Sequence, residues 1–179
     1  MVSEEQYQEI KTRHVNNVKR YMSETGGMFP HLTVYGKRIK ENEDAIIHIP
    51  VPDELMKSED LKDEFIDTII PKIAEKIREE FEPYGVAWTC EAWVRTSPKE
   101  KGVPDDWKDL PIEGEILMVN IEFENKNEMI IYDVKRTGKQ VTEEGDIIDY
   151  VDLIERNMEQ AEGWSGRFTG LLEKFKAHS

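Results

Sequence analysis

Hydrophobic positions recur every four residues from Ser58 to Glu82. Leu61, Phe65, Ile69, Ile73, Ile77 and Phe81 form one row, and Ile66, Ile70 and Ala74 form the row beside it. The remaining faces are almost wholly charged, so the spacing predicts a long amphipathic helix. Pro71 falls inside it, removes one backbone donor and predicts a kink or a break in register. A first helix is predicted from Ser3. Ser3 and Gln6 form a capping box, Tyr7, Ile10, His14, Val18 and Tyr21 follow at helical spacing, and Gly26-Gly27 ends it.

Alternating patterns mark the strands. Leu32 to Tyr35 and Ala45 to Val51 read as a hairpin with a long connection, stopped by Pro50 and Pro52. Val86 to Thr96 divides its faces cleanly: Val86, Trp88, Cys90, Ala92 and Val94 point one way, Ala87, Thr89, Glu91, Trp93 and Arg95 the other. Glu82-Pro83-Tyr84-Gly85 is read as the end of the long helix, and Ser97 to Gly114 as a loop carrying Trp107. Glu115 to Glu124 and Met129 to Arg136 form a hairpin closed by Asn125-Lys126-Asn127. Leu117, Val119, Ile121 and Phe123 share a face with Ile130, Tyr132 and Val134.

Beyond Gly138 the pattern is ambiguous. Ile147 to Ile154 is read as a strand, although Ile147, Ile148, Val151, Ile154 and Met158 also fit helical spacing. Residues 155–166 read as a linker and Thr169 to Lys176 as a short helix. These elements imply an α+β fold: a mainly antiparallel sheet of about five strands, one long helix packed on one face, and flanking terminal helices. Residues 1–154 form a single domain in this reading, and 155–179 a linker with an amphipathic C-terminal segment.

Composition narrows the possible functions. Charged residues make up 35% of the chain and hydrophobic residues 38%, which is enough for a core when placed in periodic blocks. The net charge of -14 repels phosphates and anionic lipid headgroups, so direct nucleic-acid or membrane binding is not expected. The same surplus of acids opens another reading, an acidic decoy that imitates nucleic acid for a host DNA-binding protein. Cys90 is the one cysteine, which excludes an internal disulfide and a thiolate metal cluster, and its place on the apolar strand face makes it a core residue. The first residues carry acids where a secretory signal would carry lysines, and no run approaches the ~20 apolar residues of a membrane span. The expected location is the cytoplasm.

Two constellations carry possible chemistry. Asp133-Val134-Lys135 places a carboxylate and an ammonium on the same strand face. With Glu91 or Glu122 as a second acid, this is the pattern of a divalent-metal nuclease or hydrolase using Mg or Mn. Its bland counterpart is an exposed strand with an ordinary ion pair. On the strand before it, Glu91 shares a face with Trp93 and Arg95. That trio either binds a ligand, with Glu91 titrating high if a helix covers it, or is a half-exposed sheet surface. The four histidines, His14, His31, His48 and His178, are scattered, so no metal ligand set is assigned.

The C-terminal segment is the last feature. Residues 140–162 carry eight acids and one base; the tail that follows carries three bases and one acid around Trp164, Phe168, Leu172 and Phe175. Such a segment docks into a groove on a partner or a second copy, or folds back on its own body. At Trp88–Trp93 and at Gly166-Arg167-Phe168-Thr169-Gly170-Leu171-Leu172 the chain resembles uncharacterised small proteins encoded by tailed bacteriophages. The resemblance implies a phage origin and expression inside the host cell, and it carries over no functional residues. The leading expectation is therefore a non-enzymatic protein-binding or assembly protein, self-associating and without a cofactor. The metal-dependent enzyme and the acidic decoy are the alternatives.

Overall fold

The computed structural model describes residues 2–95, 109–156 and 170–177. Helix α1 (Glu4–Thr25) begins at the expected capping box, in which Ser3 Oγ accepts from the Gln6 amide at 3.2 Å and Gln6 Oε1 accepts from the Ser3 amide at 3.1 Å. It ends at Gly26, whose φ of 75° is the left-handed conformation that glycine adopts without a Cβ penalty. The buried stripe is Tyr7, Ile10, His14, Val18 and Met22, while Tyr21 faces outward.

Six strands follow, one for each stretch read as a strand, against the sheet of about five expected. They are β1 (His31–Arg38), β2 (Glu43–Pro50), β3 (Phe81–Arg95), β4 (Ile112–Phe123), β5 (Lys126–Val141) and β6 (Ile147–Glu155). Their order is β2-β1-β3-β4-β5-β6, with every neighbouring pair antiparallel. Residues 147–155, which fit both periodicities, form a strand because the far half of β5 supplies an edge to pair with. A bulge between Arg136 and Gly138 carries that pairing out to Val141. The β4–β5 turn is tighter than predicted: Phe123 pairs with Lys126, leaving two residues between them.

The long amphipathic segment is α2 (Glu59–Glu64), one wide π turn (Phe65–Ile69) and α3 (Ile70–Ile77). Ile70 donates to the Phe65 carbonyl five residues back, so the register break expected at Pro71 falls just before it. The helix stops four residues earlier than its apolar row implied. Phe81 opens β3 opposite Arg38, and Glu82 to Gly85 lie in that strand rather than at a helix end. Backbone contact fixes this choice. A Cβ at Gly36 would lie 2.4 Å from both the Glu82 carbonyl and the Phe81 ring.

Helices cover both faces of the sheet, which corrects the expectation of one long helix on a single inner face. On one side Leu32, Val34, Val86, Trp88 and Cys90 pack against Phe65, Ile66, Ile70 and Ala74. On the other, α1 lies over Ala87, Leu117, Val119, Ile121 and Tyr132. This is why β3 and β4 are apolar on both faces in their central stretches. Each fully buried aliphatic or aromatic side chain there is worth roughly 1.5–3 kcal/mol. Helix α4 (Leu171–Lys176) joins the first of these cores. Among the described residues, no helix is long and apolar enough to cross a membrane.

Candidate ligand-binding groove

Helix α1 packs over β3, β4 and β5, and its C-terminal end is drawn toward β6. Arg136 of β5 donates to the Gly26 carbonyl and reaches Asp149 of β6 at 3.3 Å. On the same sheet face α1 meets β1 through His14 and Tyr35, whereas β2 beyond it carries no buried residue. A cavity of about 730 Å³ opens there, between α1 and the β1–β2 hairpin. On the strands this face carries His31 and Tyr35 of β1 and Ile46, His48 and Pro50 of β2; Leu32, Val34, Ile47 and Ile49 point into the opposite core. Arg13, Asn17, Arg20 and Tyr21 line the helix side. Three large apolar side chains are exposed at its mouth: Tyr21 at 40%, Phe29 at 65% and Ile46 at 42%.

Three histidines from separate elements meet in this cavity. His14 is buried, with Nδ1 2.7 Å from the Tyr35 hydroxyl and Nε2 3.0 Å from Thr89 Oγ1. Burial, then the neighbouring His31 and His48, push its pKa down to about 3, so the ring is neutral and ties α1 to β1 and β3. Burial also holds His31 below the usual imidazole range; its Nδ1 donates to the Phe29 carbonyl at 3.0 Å. His48 Nδ1 lies 3.2 Å from Thr33 Oγ1. The rings of His14 and His31 are 6.3 Å apart. Among the described residues, no group of three or more His, Cys, Asp or Glu is placed to hold a metal ion. Sequence reasoning missed this convergence, since positions 14, 31 and 48 have no shared motif. The one available sign was His14 itself, a polar residue on the apolar stripe of α1.

Beside the groove, beyond Phe29, lies a smaller cleft that Glu91, Trp93 and Glu115 help to line. Glu91 is covered here by the residues that follow α1 rather than by the helix itself. Burial and then the Glu115 carboxylate push its pKa up to about 7, although Arg136 and the Met28 amide oppose this. The Met28 amide donates to Glu91 Oε1 at 3.1 Å. Arg136 binds Glu115 in a two-pronged contact, at 2.6 and 3.0 Å, and reaches Glu91 at 3.4 Å. Trp93 is 63% exposed. Arg95 donates to the Leu110 carbonyl, and so braces the start of β4.

The other predicted site residues are dispersed. Asp133 accepts from Arg156 at 2.6 and 2.7 Å, and Lys135 is exposed. Both lie on the face opposite Glu91. Glu122 shares their face, but Asp133 pairs with Ile116, six residues along β4 from Glu122. At about 3.3 Å per residue the two carboxylates are roughly 20 Å apart. Glu122 instead serves the C-terminal helix. It accepts from the amides of Gly170 and Leu172, at 2.8 and 3.1 Å, and from Asn120 at 2.9 Å. It thus caps α4. Leu172 and Phe175, expected to meet a partner, are 3% and 1% exposed within the chain's own core. The segment folds back because its apolar face meets α3 and β3, while Lys174 and Lys176 pair with Asp67 and Glu124. Trp164 and Phe168 lie outside the described residues. Cys90 is buried, and burial pushes its thiol up to about 11, as befits a core residue.

No family model, curated protein or solved structure matches this chain.

Proposed function

We propose that this is a non-enzymatic binding protein whose working surface is the groove between α1 and the β1–β2 hairpin, and that the groove takes a small, largely apolar ligand. The carrying observation is the cavity of about 730 Å³ with Tyr21, Phe29 and Ile46 exposed at its mouth. A concave, mainly apolar site with a few polar groups is what a drug-sized molecule needs. The titratable groups on its floor support binding rather than turnover. Both nitrogens of His14 are engaged, and burial raises the Tyr35 pKa and keeps its hydroxyl protonated. The test is titration with the neutral fluorophore N-phenyl-1-naphthylamine. One saturable site is expected, abolished in Ile46→Glu with the melting temperature unchanged. Absence of saturable binding to the native protein would remove this reading.

Self-association is a second reading, favoured by the sheet edge. Among the described residues β6 pairs only with β5, and Ile147, Tyr150 and Ile154 on it are 72%, 51% and 47% exposed. A second copy adding its own β6 would continue the sheet. Light scattering should then report a dimer that Tyr150→Lys dissociates; a monomeric native protein at high concentration refutes it.

A further inference from the structure

We propose that the ligand of the groove is an amphipathic anion: an apolar, ring-sized body carrying one carboxylate, sulfonate or phosphate, with Arg13 and Arg20 receiving the charge. The proposal rests on the reading of the groove as a ligand site and adds the ligand's chemical class.

The distribution of charge carries it. The chain has 38 acidic residues and 24 basic ones, so a basic side chain has acids to spare around it. Lys11, Lys126, Arg136, Arg156, Lys174 and Lys176 each hold a carboxylate. Arg13, like Lys37 and Arg38 among others, forms no ion pair among the described residues, and it stands on the groove. Arg20, two turns along α1, has only the long contact to Glu24 at 3.9 Å, with both side chains about two-thirds exposed. An exposed pair at that distance contributes little and yields readily to a better anion. Glu24 is the one acid among the groove's lining residues, against these two guanidiniums. The groove's lining thus carries a net positive formal charge where the molecule is net negative, and a low-dielectric cleft strengthens the pull of such a lining on an anion.

The geometry also orients the ligand. Arg13 stands where the groove meets a second compartment, in which Glu9, Asp44 and Glu82 outnumber Lys37 and disfavour an anion. The charged group therefore lies on the His31 and His48 side of Arg13. There, Asn17, one turn from Arg13 on the same helix face, adds an amide that can donate. The apolar body then extends toward Tyr21, Phe29 and Ile46. Guanidinium forks match carboxylate, sulfonate and phosphate oxygens equally well, so the head group's source is left to experiment.

The experiment uses two fluorophores that differ by one sulfonate, 1-anilinonaphthalene-8-sulfonate and N-phenyl-1-naphthylamine, on the full chain. The variants are Arg13→Gln/Arg20→Gln, both exposed positions, and Ile46→Glu to place the probe. Expected is one sulfonate probe per chain, weakened about tenfold or more in the double arginine variant and by added salt, with the neutral probe unaffected by either change. If both probes bind and the arginine variant alters neither, or weakens both equally, the anionic class is overturned while the groove stands. If the neutral probe shows no saturable binding to the native protein, the groove reading itself fails. Isothermal titration with a straight-chain carboxylate and the matching alkyl phosphate then separates the two natural head groups.

Discussion

His14 and Tyr35 lie 21 residues apart in the chain and meet with Nδ1 2.7 Å from the phenolic oxygen, while Thr89 takes the other ring nitrogen at 3.0 Å. This buried network joins α1 to β1 and β3 and forms the groove's floor. His14→Ala should cost about 1–3 kcal/mol, since it strands two buried hydroxyls. It should also weaken probe binding. Urea unfolding together with probe titration would show both effects; an unchanged midpoint would mean the network is not holding α1.

The same histidine sets an acid limit. Its pKa is about 3 when folded and close to the ordinary 6.5 when unfolded. Below about 6.5 the unfolded chain binds a proton that the folded chain refuses, so this contribution to stability falls as pH drops from about 6.5 toward 3. Two-dimensional NMR of the imidazole should show His14 neutral at pH 5. A ring that titrates near 6.5 in the folded protein would contradict the burial argument.

Glu91 acts with the opposite sign. Its folded pKa, about 7, lies above its ordinary value of 4.5, so the folded chain holds the proton more tightly across that interval. The contribution is present in full below about 4.5 and is lost as pH rises through about 7. Glu91→Gln should therefore flatten the fall in stability between pH 5 and pH 8, and keep the bond from the Met28 amide. Denaturant midpoints of both proteins at the two pH values would decide it; parallel profiles would show that Glu91 is not the titrating group.

Glu122 holds the C-terminal helix through the amides of Gly170 and Leu172. A carboxylate at a helix start satisfies donors that lack partners within the helix. Glu122→Ala should cost about 1–3 kcal/mol. Amide exchange should become fast first in residues 171–176, ahead of the sheet. If those amides stay protected, the packing of Leu171, Leu172 and Phe175 alone secures the helix.

Much of the architecture was legible because local periodicity reports which side of an element is apolar. The capping box at Ser3, the two faces of β3, and the shared face of Leu117, Val119, Ile121, Ile130, Tyr132 and Val134 all read correctly. Periodicity misled at Phe81, which continues the helical row in number but opens a strand, because a row of apolar residues does not say where the backbone changes direction. It left 147–155 ambiguous for a related reason: a strand at a sheet edge is defined by its partner.

The amino-acid sequence by itself determined the elements, their apolar faces, the inertness of Cys90 and the excess of negative charge, all of which are properties of neighbours a few residues apart. Only the tertiary structure decided which face each helix covers. Strand order places β1 between β2 and β3, and α1 leans toward β6, so β2 is left uncovered on that face and the groove exists. That arrangement also gathers His14, His31 and His48, leaves Arg13 on the groove, and sends Glu122 to cap a helix about 50 residues away. Such contacts are set by long-range packing, which leaves no spacing in the chain to read.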